Sequence, residues 1–440
     1  MEYSRLFRAE RFKLGQIHNR VALETTLKLA CFSWLVICVP RPCRGQEVFD
    51  VTKYGAISNG KTDNSKAFSD AWSAACKHRG AASFLIPKGS FLLGQIIFQG
   101  PCSNNTSPKF EIKGKLLAPA SPTSITTIAW LEFRALNKLI IEGGGVVDAQ
   151  GATSWNLTRC TGRNCHNSPL STRFIKISNA TIANLTLLNS KGYHMAIQRS
   201  NFVTVLNLNI SAPGDSPNTD GLHISDCNNI NVTRLAIGTG DDCISIGPGN
   251  NNVSISGVNC GPGHGISVGG LGKYMDDKDV IGVKVNNCTI SNTQNGIRIK
   301  TWPGSQPGRA SNFKFEDIIV NNVSRPIIID QEYCPKKTCS NKPSLFKVNN
   351  VTFNRISGTS SRPVAVNLKC SSSVPCENVK LHDVNLEHIN GAASDITSKC
   401  FNVKGLVATS KKPDSTLSKS LAKCFQTHQV KILQVHKDEV

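Results

Sequence analysis

Four short blocks stand at near-regular intervals in the middle of the chain: Asp220-Gly-Leu-His-Ile-Ser, Asp242-Cys-Ile-Ser-Ile-Gly, His264-Gly-Ile-Ser-Val-Gly and Asn295-Gly-Ile-Arg-Ile-Lys. Each opens on a polar residue and continues as a two-residue alternation, the period of a strand. The first three begin 22 residues apart. A repeat in the twenties that carries strands rather than helices predicts a β-solenoid, in which each repeat is one coil and needs only its neighbours to bury its apolar face. Stacked coils of parallel strands place equivalent residues about 4.8 Å apart. Asp220, Asp242 and His264 are therefore expected to form a column on one face, with Arg298 and Lys300 a rung beyond.

The ends and the cysteines speak to compartment. A basic leader runs into the apolar stretch Leu29 to Val39, whose 11 residues are too few to span a bilayer but suit a signal-peptide core. The leader is long for a signal, and cleavage after Gly45 is the expectation. The whole chain has 50 Lys+Arg against 30 Asp+Glu, and loss of residues 1–45, with 8 basic and 3 acidic residues, leaves +15. Such a balance points to a polyanionic partner or a plainly solvated cationic surface. Three of the 17 cysteines fall in the leader, and 14 remain, an even number. Cys334/Cys339, Cys370/Cys376 and Cys160/Cys165 can bridge locally. Cys76/Cys102, Cys243/Cys260 and Cys400/Cys424 can close larger loops, which leaves Cys227 and Cys288. No paired C-x-x-C framework argues for zinc. Eleven N-x-S/T sequons, Asn104, Asn156, Asn179, Asn231 and Asn322 among them, fit a secreted chain.

Phe49-Asp-Val-Thr-Lys-Tyr predicts a first strand. The next stretch, Gly55-Ala-Ile-Ser-Asn-Gly60-Lys61-Thr62, matches the phosphate-loop pattern letter for letter. No strand ending in a magnesium-binding Asp completes such a site, and a secreted chain meets little nucleotide triphosphate. The stretch reads instead as a turn before a helix capped by Asp63 or Asn64. That helix, Ser65 to Lys77, carries Ala67, Phe68, Ala71, Trp72 and Ala75 on one face, and is expected to cap the open end of the solenoid. From Ala82 the pattern is β, becoming regular at Phe174-Ile-Lys-Ile-Ser and continuing to Val379-Lys-Leu-His-Asp-Val. Asn recurs at the turns, where it tolerates left-handed geometry. The expected organisation is a signal peptide over 1–45, an all-β solenoid domain over 46–405 with a short N-terminal capping helix, and a polar, lysine-rich tail over 406–440.

Asp220, Asp241 and Asp242 in one patch admit three readings. They can cap turns as Asp-Gly commonly does, hold calcium with carboxylate and carbonyl oxygens, or act as paired carboxyls on a glycosidic bond. Like charges on adjacent coils raise the pKa of one partner, which keeps a carboxyl protonated as a general acid. Cations at Arg298 and Lys300 oppose calcium and welcome an acidic substrate.

Asn218-Thr-Asp220, Gly240-Asp241-Asp242, Gly263-His264-Gly265 and Arg298-Ile-Lys300 resemble, in order and spacing, the motifs of the polygalacturonases, glycoside hydrolases of pectin. Phe49-Asp-Val-Thr-Lys-Tyr-Gly-Ala and Asp330-Gln-Glu-Tyr333-Cys334 are similar too, so the resemblance spans roughly residues 47 to 405. Gly270-Leu-Gly-Lys-Tyr and Thr301-Trp-Pro-Gly look like the plant enzymes, especially the pollen exo-acting type. The resemblance implies a right-handed parallel β-helix and an inverting mechanism. Asp241 would be the general acid, and Asp220 and Asp242 would activate the attacking water. His264 would tune the acid, Arg298 and Lys300 would bind galacturonate carboxylates, and Asn218 and Tyr333 would contact substrate. It implies no cofactor and no bound metal. The implied partner is pectin or homogalacturonan, with no nucleic acid and no membrane after signal removal. The protein is expected to act as a secreted monomer at the cell wall. Endo action, a calcium-dependent pectate lyase and a non-catalytic pectin-binding protein are the alternatives.

Overall fold

In the computed structural model, the described residues are 46–158, 168–335, 338–390, 396–409 and 416–426. The expected signal segment and the Cys160/Cys165 pair lie outside them. Among the described residues every strand pairing is parallel, in one 21-stranded and one 11-stranded sheet. The chain winds through both sheets coil after coil, a right-handed parallel β-helix. Within the 11-stranded sheet the strands stack in chain order, from Ile96–Gln99 to Thr397–Phe401.

Alternation decides which side chains go inside. Phe98, Phe133, Phe174, Ile197, Ile224, Ile246, Val268, Ile299, Ile329 and Leu368 are successive partners in the 11-stranded sheet, and all are buried. The three phenylalanines stack face to face, with centroids 4.9 and 4.8 Å apart, the rung spacing itself. One residue along, the outward column reads Glu132, Arg173, Ala196, His223, Ser245, Ser267 and Arg298. That polar column is where the motifs fall.

The coils turn through left-handed residues that also stack. Asn184, Asn207, Arg234, Gly257, Asn287, Asp317, Arg355 and Asp383 share one such position, at φ between 50° and 64°. Asn is the non-glycine residue best suited to that geometry, which explains the recurrent Asn in the sequence.

Helix α1, Ser65–Lys77, buries Phe68 and Trp72 against Phe84, Phe91, Phe98 and Phe110. Trp72 Nε1 donates to the Gln99 carbonyl of the first strand of the 11-stranded sheet at 3.2 Å, and Cys76–Cys102 pins the two together. Asp63 provides the cap, its Oδ1 accepting from Ser65 N at 2.9 Å; Asn64 instead bonds the backbone at Ile57 and Leu92. The phosphate-loop look-alike is partly a strand, Asn59–Asp63, paired with Ser90–Leu92. After the short helix α2, Ala152–Thr158, the next helix departs from expectation.

That departure lies in the supposed polar tail. The coils continue to Val407–Thr409, and helix α3, Thr416–Gln426, follows. It buries Leu417 and Leu421 and is tied by Cys400–Cys424 to the last strand of the 11-stranded sheet, where Ser398 N–H donates to Ser420 Oγ at 2.9 Å. Cys243–Cys260, Cys334–Cys339 and Cys370–Cys376 are also bonded as expected. Cys227 and Cys288 are free and buried, and burial pushes their thiols up to about 12 and about 11, which leaves them inert. No helix among the described residues is long and apolar enough to cross a membrane.

Candidate active site

The blocks converge on the outer face of the 11-stranded sheet. Leu222 pairs with Ile244, so Asp220 and Asp242, each two residues earlier, hold equivalent places one rung apart. Their surroundings repeat as well. Ser245 donates to Asp220 Oδ2 at 2.7 Å, and Ser267 donates to Asp242 Oδ1 at 2.8 Å; each serine lies 25 residues after its carboxylate. Ser245 and Ser267 are themselves rung partners.

His264, two residues before the Ile266 that pairs with Ile244, holds the next place in that column, but its side chain turns to the neighbouring carboxylate. Its N–H donates to the Asp241 carbonyl at 2.8 Å, and its Nδ1 shares a 2.9 Å hydrogen bond with Asp241 Oδ1, not with Asp242. The backbone must bend to bring it there. Gly265 sits at φ 88°, where a Cβ would fall 2.0 Å from the Asn295 carbonyl, so only glycine fits. Asp241 Oδ1 also accepts from Asp242 N–H at 2.8 Å. Of the three acidic side chains, Asp241 is the one open to the cleft, 23% exposed against 2% for Asp242.

Arg298 and Lys300 are brought to the site, but onto protein. Arg298 donates to Asp242 Oδ1 at 2.7 Å and Lys300 to Asp242 Oδ2 at 3.0 Å, while Arg298 Nε bonds Ser267 Oγ at 3.0 Å. Tyr333 stands over them, its ring centroid 5.1 Å from Lys300 Nζ and 5.9 Å from Arg298 Cζ. Asn218 is exposed two residues before Asp220, in a left-handed conformation at φ 55°.

The electrostatics divide the carboxyls. Burial first, then the charges of Asp241 and Asp242, hold the Asp220 carboxyl well above the ordinary range, against the pull of Ser245 and Lys300. For Asp241 burial also works upward, but the His264 hydrogen bond and charge, the Asp242 N–H and Lys300 outweigh it and hold the group low. Asp241, Asp242 and His264 present donor atoms within 4.8 Å of one another, the spacing of a metal site. The donor set does not fit calcium. A hard cation wants six or more oxygens, whereas both Asp242 oxygens already carry cations and Asp241 Oδ1 carries an imidazole.

Sequence reasoning missed Ser245 and Ser267, and two further residues of the site besides. His223 is the rung partner of Ser245, with Nδ1 2.9 Å from Ser245 Oγ. Tyr193 packs on His223 at 5.3 Å, and the charge of Asp220, then burial, keep its phenol protonated. Met195 pairs with Leu222, so Tyr193 occupies the Asp220 position one coil earlier. The coil between them is 27 residues long, against 23 for the coil before and 22 for the coil after, which hid the match.

A family profile described as glycosyl hydrolases family 28 matches residues 76–413. An exopolygalacturonase of Platanus acerifolia is 44% identical over 359 residues, 81% of this chain and 94% of that protein. An exopolygalacturonase of Zea mays is 43% identical over 361 residues, 81% of this chain and 87% of that protein. Among solved structures, an endo-xylogalacturonan hydrolase from Aspergillus tubingensis shares the fold, with a TM-score of 0.71 at 23% identity over 82% of this chain and 99% of that one. The matched segment contains every carboxylate, cation and serine of the cleft, and on that ground the chain belongs to glycosyl hydrolases family 28.

Proposed function

We propose that the protein is an exo-acting polygalacturonase that hydrolyses α-1,4-galacturonosyl bonds of pectin or homogalacturonan with inversion. The observation that carries this reading is the cluster itself: three carboxyls, two of them buried, hemmed by Arg298 and Lys300. The relatives named exopolygalacturonase, similar over most of their length, support the substrate and the exo mode.

The geometry suggests a division of labour. Both hydrogen bonds to Asp241 fall on Oδ1, so Oδ2 is the oxygen that can meet a leaving group. Lys300 is one of the causes that keep Asp241 ionised. A uronate carboxylate bound at Lys300 offsets that charge, so substrate binding itself favours the protonated acid. Asp241 then gives its proton to the glycosidic oxygen as the C1–O bond breaks. Water attacks from the opposite face and loses its proton to Asp220, whose raised affinity for protons makes it the stronger base. Asp242, with both oxygens bound to cations, orients the water and anchors Arg298 and Lys300. Inversion requires carboxyls roughly 6.5–9.5 Å apart, to admit the water. Asn218 and Tyr333 would contact the sugar. The cysteine pairing fits secretion to an oxidising space, and the cationic surface fits an acidic wall polymer.

The test is reducing-end release from polygalacturonate, with and without chelator, with products sized. Wild type should release monomer regardless of chelator, and Asp241→Asn should lose activity by about 10²–10⁴-fold. Mixed oligomers would replace exo by endo action. Unsaturated, chelator-sensitive products would make it a lyase, and binding without release a pectin-binding protein.

A further inference from the structure

Beyond Tyr333 the wall of the cleft continues as an alternation of rings and cations that the hydrolytic carboxyls do not touch. Trp302, directly after the strand Asn295–Thr301, meets Tyr333 edge-on, with centroids 5.5 Å apart at 82°. Lys273 Nζ stands 5.4 Å from the Trp302 ring and 5.1 Å from the Tyr274 ring. Lys273 lies in the loop that follows the strand Ile266–Leu271. Asp277 Oδ2 holds that loop, accepting from the N–H groups of Lys273 at 2.9 Å and Tyr274 at 3.3 Å. At Gly270 a Cβ would lie 2.6 Å from Trp302 Nε1 and 3.3 Å from Tyr333 Cδ1, so the absence of a side chain there lets the two rings close on the loop. The ammonium of Lys273 makes no ion pair among the described residues, whereas its loop neighbour Lys278 pairs with Asp226 at 2.9 Å. Tyr274, at the rim, is 61% exposed.

An unpaired ammonium beside aromatic faces is chemically matched to a uronic acid. The C–H face of a pyranose ring lies flat on an indole or phenol, and its carboxylate pairs with the cation. A polyuronate presents a carboxylate and a C–H face once per sugar, and this wall sets a cation beside a ring twice, as Lys300, which also pairs with Asp242, with Tyr333 and as the unpaired Lys273 with Trp302. We propose that Lys273 and Trp302, with Tyr274 at the rim, form a second uronate subsite, which takes the sugar next along the chain from the one held by Arg298, Lys300 and Tyr333. The inference rests on the polygalacturonase reading. An enzyme that removes one terminal unit must hold the remaining polymer on one side of the cut, and the strip supplies that hold. Lys273 thus sets the preference for long substrates over short ones and takes no part in bond cleavage.

The experiment compares wild type, Lys273→Met, Lys273→Arg and Lys278→Met on digalacturonate and on polygalacturonate. Methionine keeps an unbranched stem against Trp302 and removes only the charge. KM for the polymer should rise about 3- to 5-fold in Lys273→Met, with kcat unchanged and digalacturonate kinetics as in wild type. Arginine should restore the polymer KM, 0.5 M salt should shrink the difference, and Lys278→Met should match wild type throughout. Equal losses on dimer and polymer, or no loss on either, would overturn the subsite. Binding of the two substrates to Asp241→Asn protein, measured by calorimetry, decides the point independently of turnover. Lys273→Met in that background should weaken the polymer and spare the dimer, and unchanged affinity for both would sink the subsite even in an active enzyme.

Discussion

The hydroxyl of Ser245 carries one proton, and it is directed to Asp220 Oδ2 at 2.7 Å. The 2.9 Å bond between Ser245 Oγ and His223 must therefore take its proton from His223 Nδ1. Nδ1–H is present in the neutral and the protonated ring alike, so His223 keeps that role through the acid range. Burial foremost, with Lys300 assisting and Asp242 opposing, holds its pKa down to about 4 and the ring neutral above that. The pair acts as a fixed donor that favours the ionised form of Asp220, the form a base requires. Ser245→Ala removes that donor and should push the Asp220 carboxyl further up. The acid limb of the kcat profile should then move to higher pH, with kcat at pH 5 lower by on the order of 10-fold and KM little changed. His223→Leu should do the same more weakly, and His223→Gln, which can still donate, should restore the profile. A loss of activity with the pH profile unmoved would mean that His223 and Ser245 only support the fold. Asp220, Asp242 and His264 could be read from sequence because each begins a block of the repeat, and Asp241 because it stands directly before one. His223 and Ser245 could not, because within their blocks they look like any outward polar residue of a strand, and only the stacking of coils turns them toward a carboxylate.

At the scale of elements, stacking in register is what the 22-residue spacing encoded, and the coils are where it placed them. The spacing could not encode which way a side chain turns, which is why His264, in register with Asp242, is found bonded to Asp241. Helix α3 was hidden for another reason. Its polar positions, Lys419 and Lys423 among them, outweigh Leu417 and Leu421 in a residue count, so the stretch read as tail although the two leucines share one face at i, i+4. That face and the Cys400–Cys424 bridge cover the last strand, Thr397–Phe401, which among the described residues has a strand on one side only. Each coil of a solenoid contacts only its neighbours, so damage at the end should stay at the end. Cys400→Ser/Cys424→Ser should lose about 3 kcal/mol of local stability, seen as faster amide exchange over Thr397–Phe401. Exchange over Leu222–Ser225 and the rate of galacturonate release should be unchanged. Loss of protection across all coils together would show that the molecule unfolds as one unit instead.

The whole molecule places like charges on adjacent rungs, and its stability must carry the consequence. Asp220 holds its proton well above the 3.8 of a free carboxyl. Above pH 3.8 the unfolded chain releases that proton and the folded one keeps it, so this residue makes the fold progressively less stable as pH rises toward its folded pKa. His194 and His223 act with the opposite sign. Burial above all lowers both from 6.5 to about 4, so between those values the unfolded chain binds protons that the folded one refuses, and their contribution is lost as pH falls. Wild type should therefore show a flat stability optimum, because one trend offsets the other. Asp220→Asn removes the first trend and leaves the second. Its Tm should exceed that of wild type by a few degrees at pH 7, the gap should close as pH approaches 4, and the loss on acidification should be steeper than in wild type. A gap that is constant with pH would locate the gain in packing rather than in the buried charge. A variant that is inactive yet more stable at neutral pH, and only there, would mean that the column of carboxyls is maintained against the preference of the fold, for the chemistry it performs.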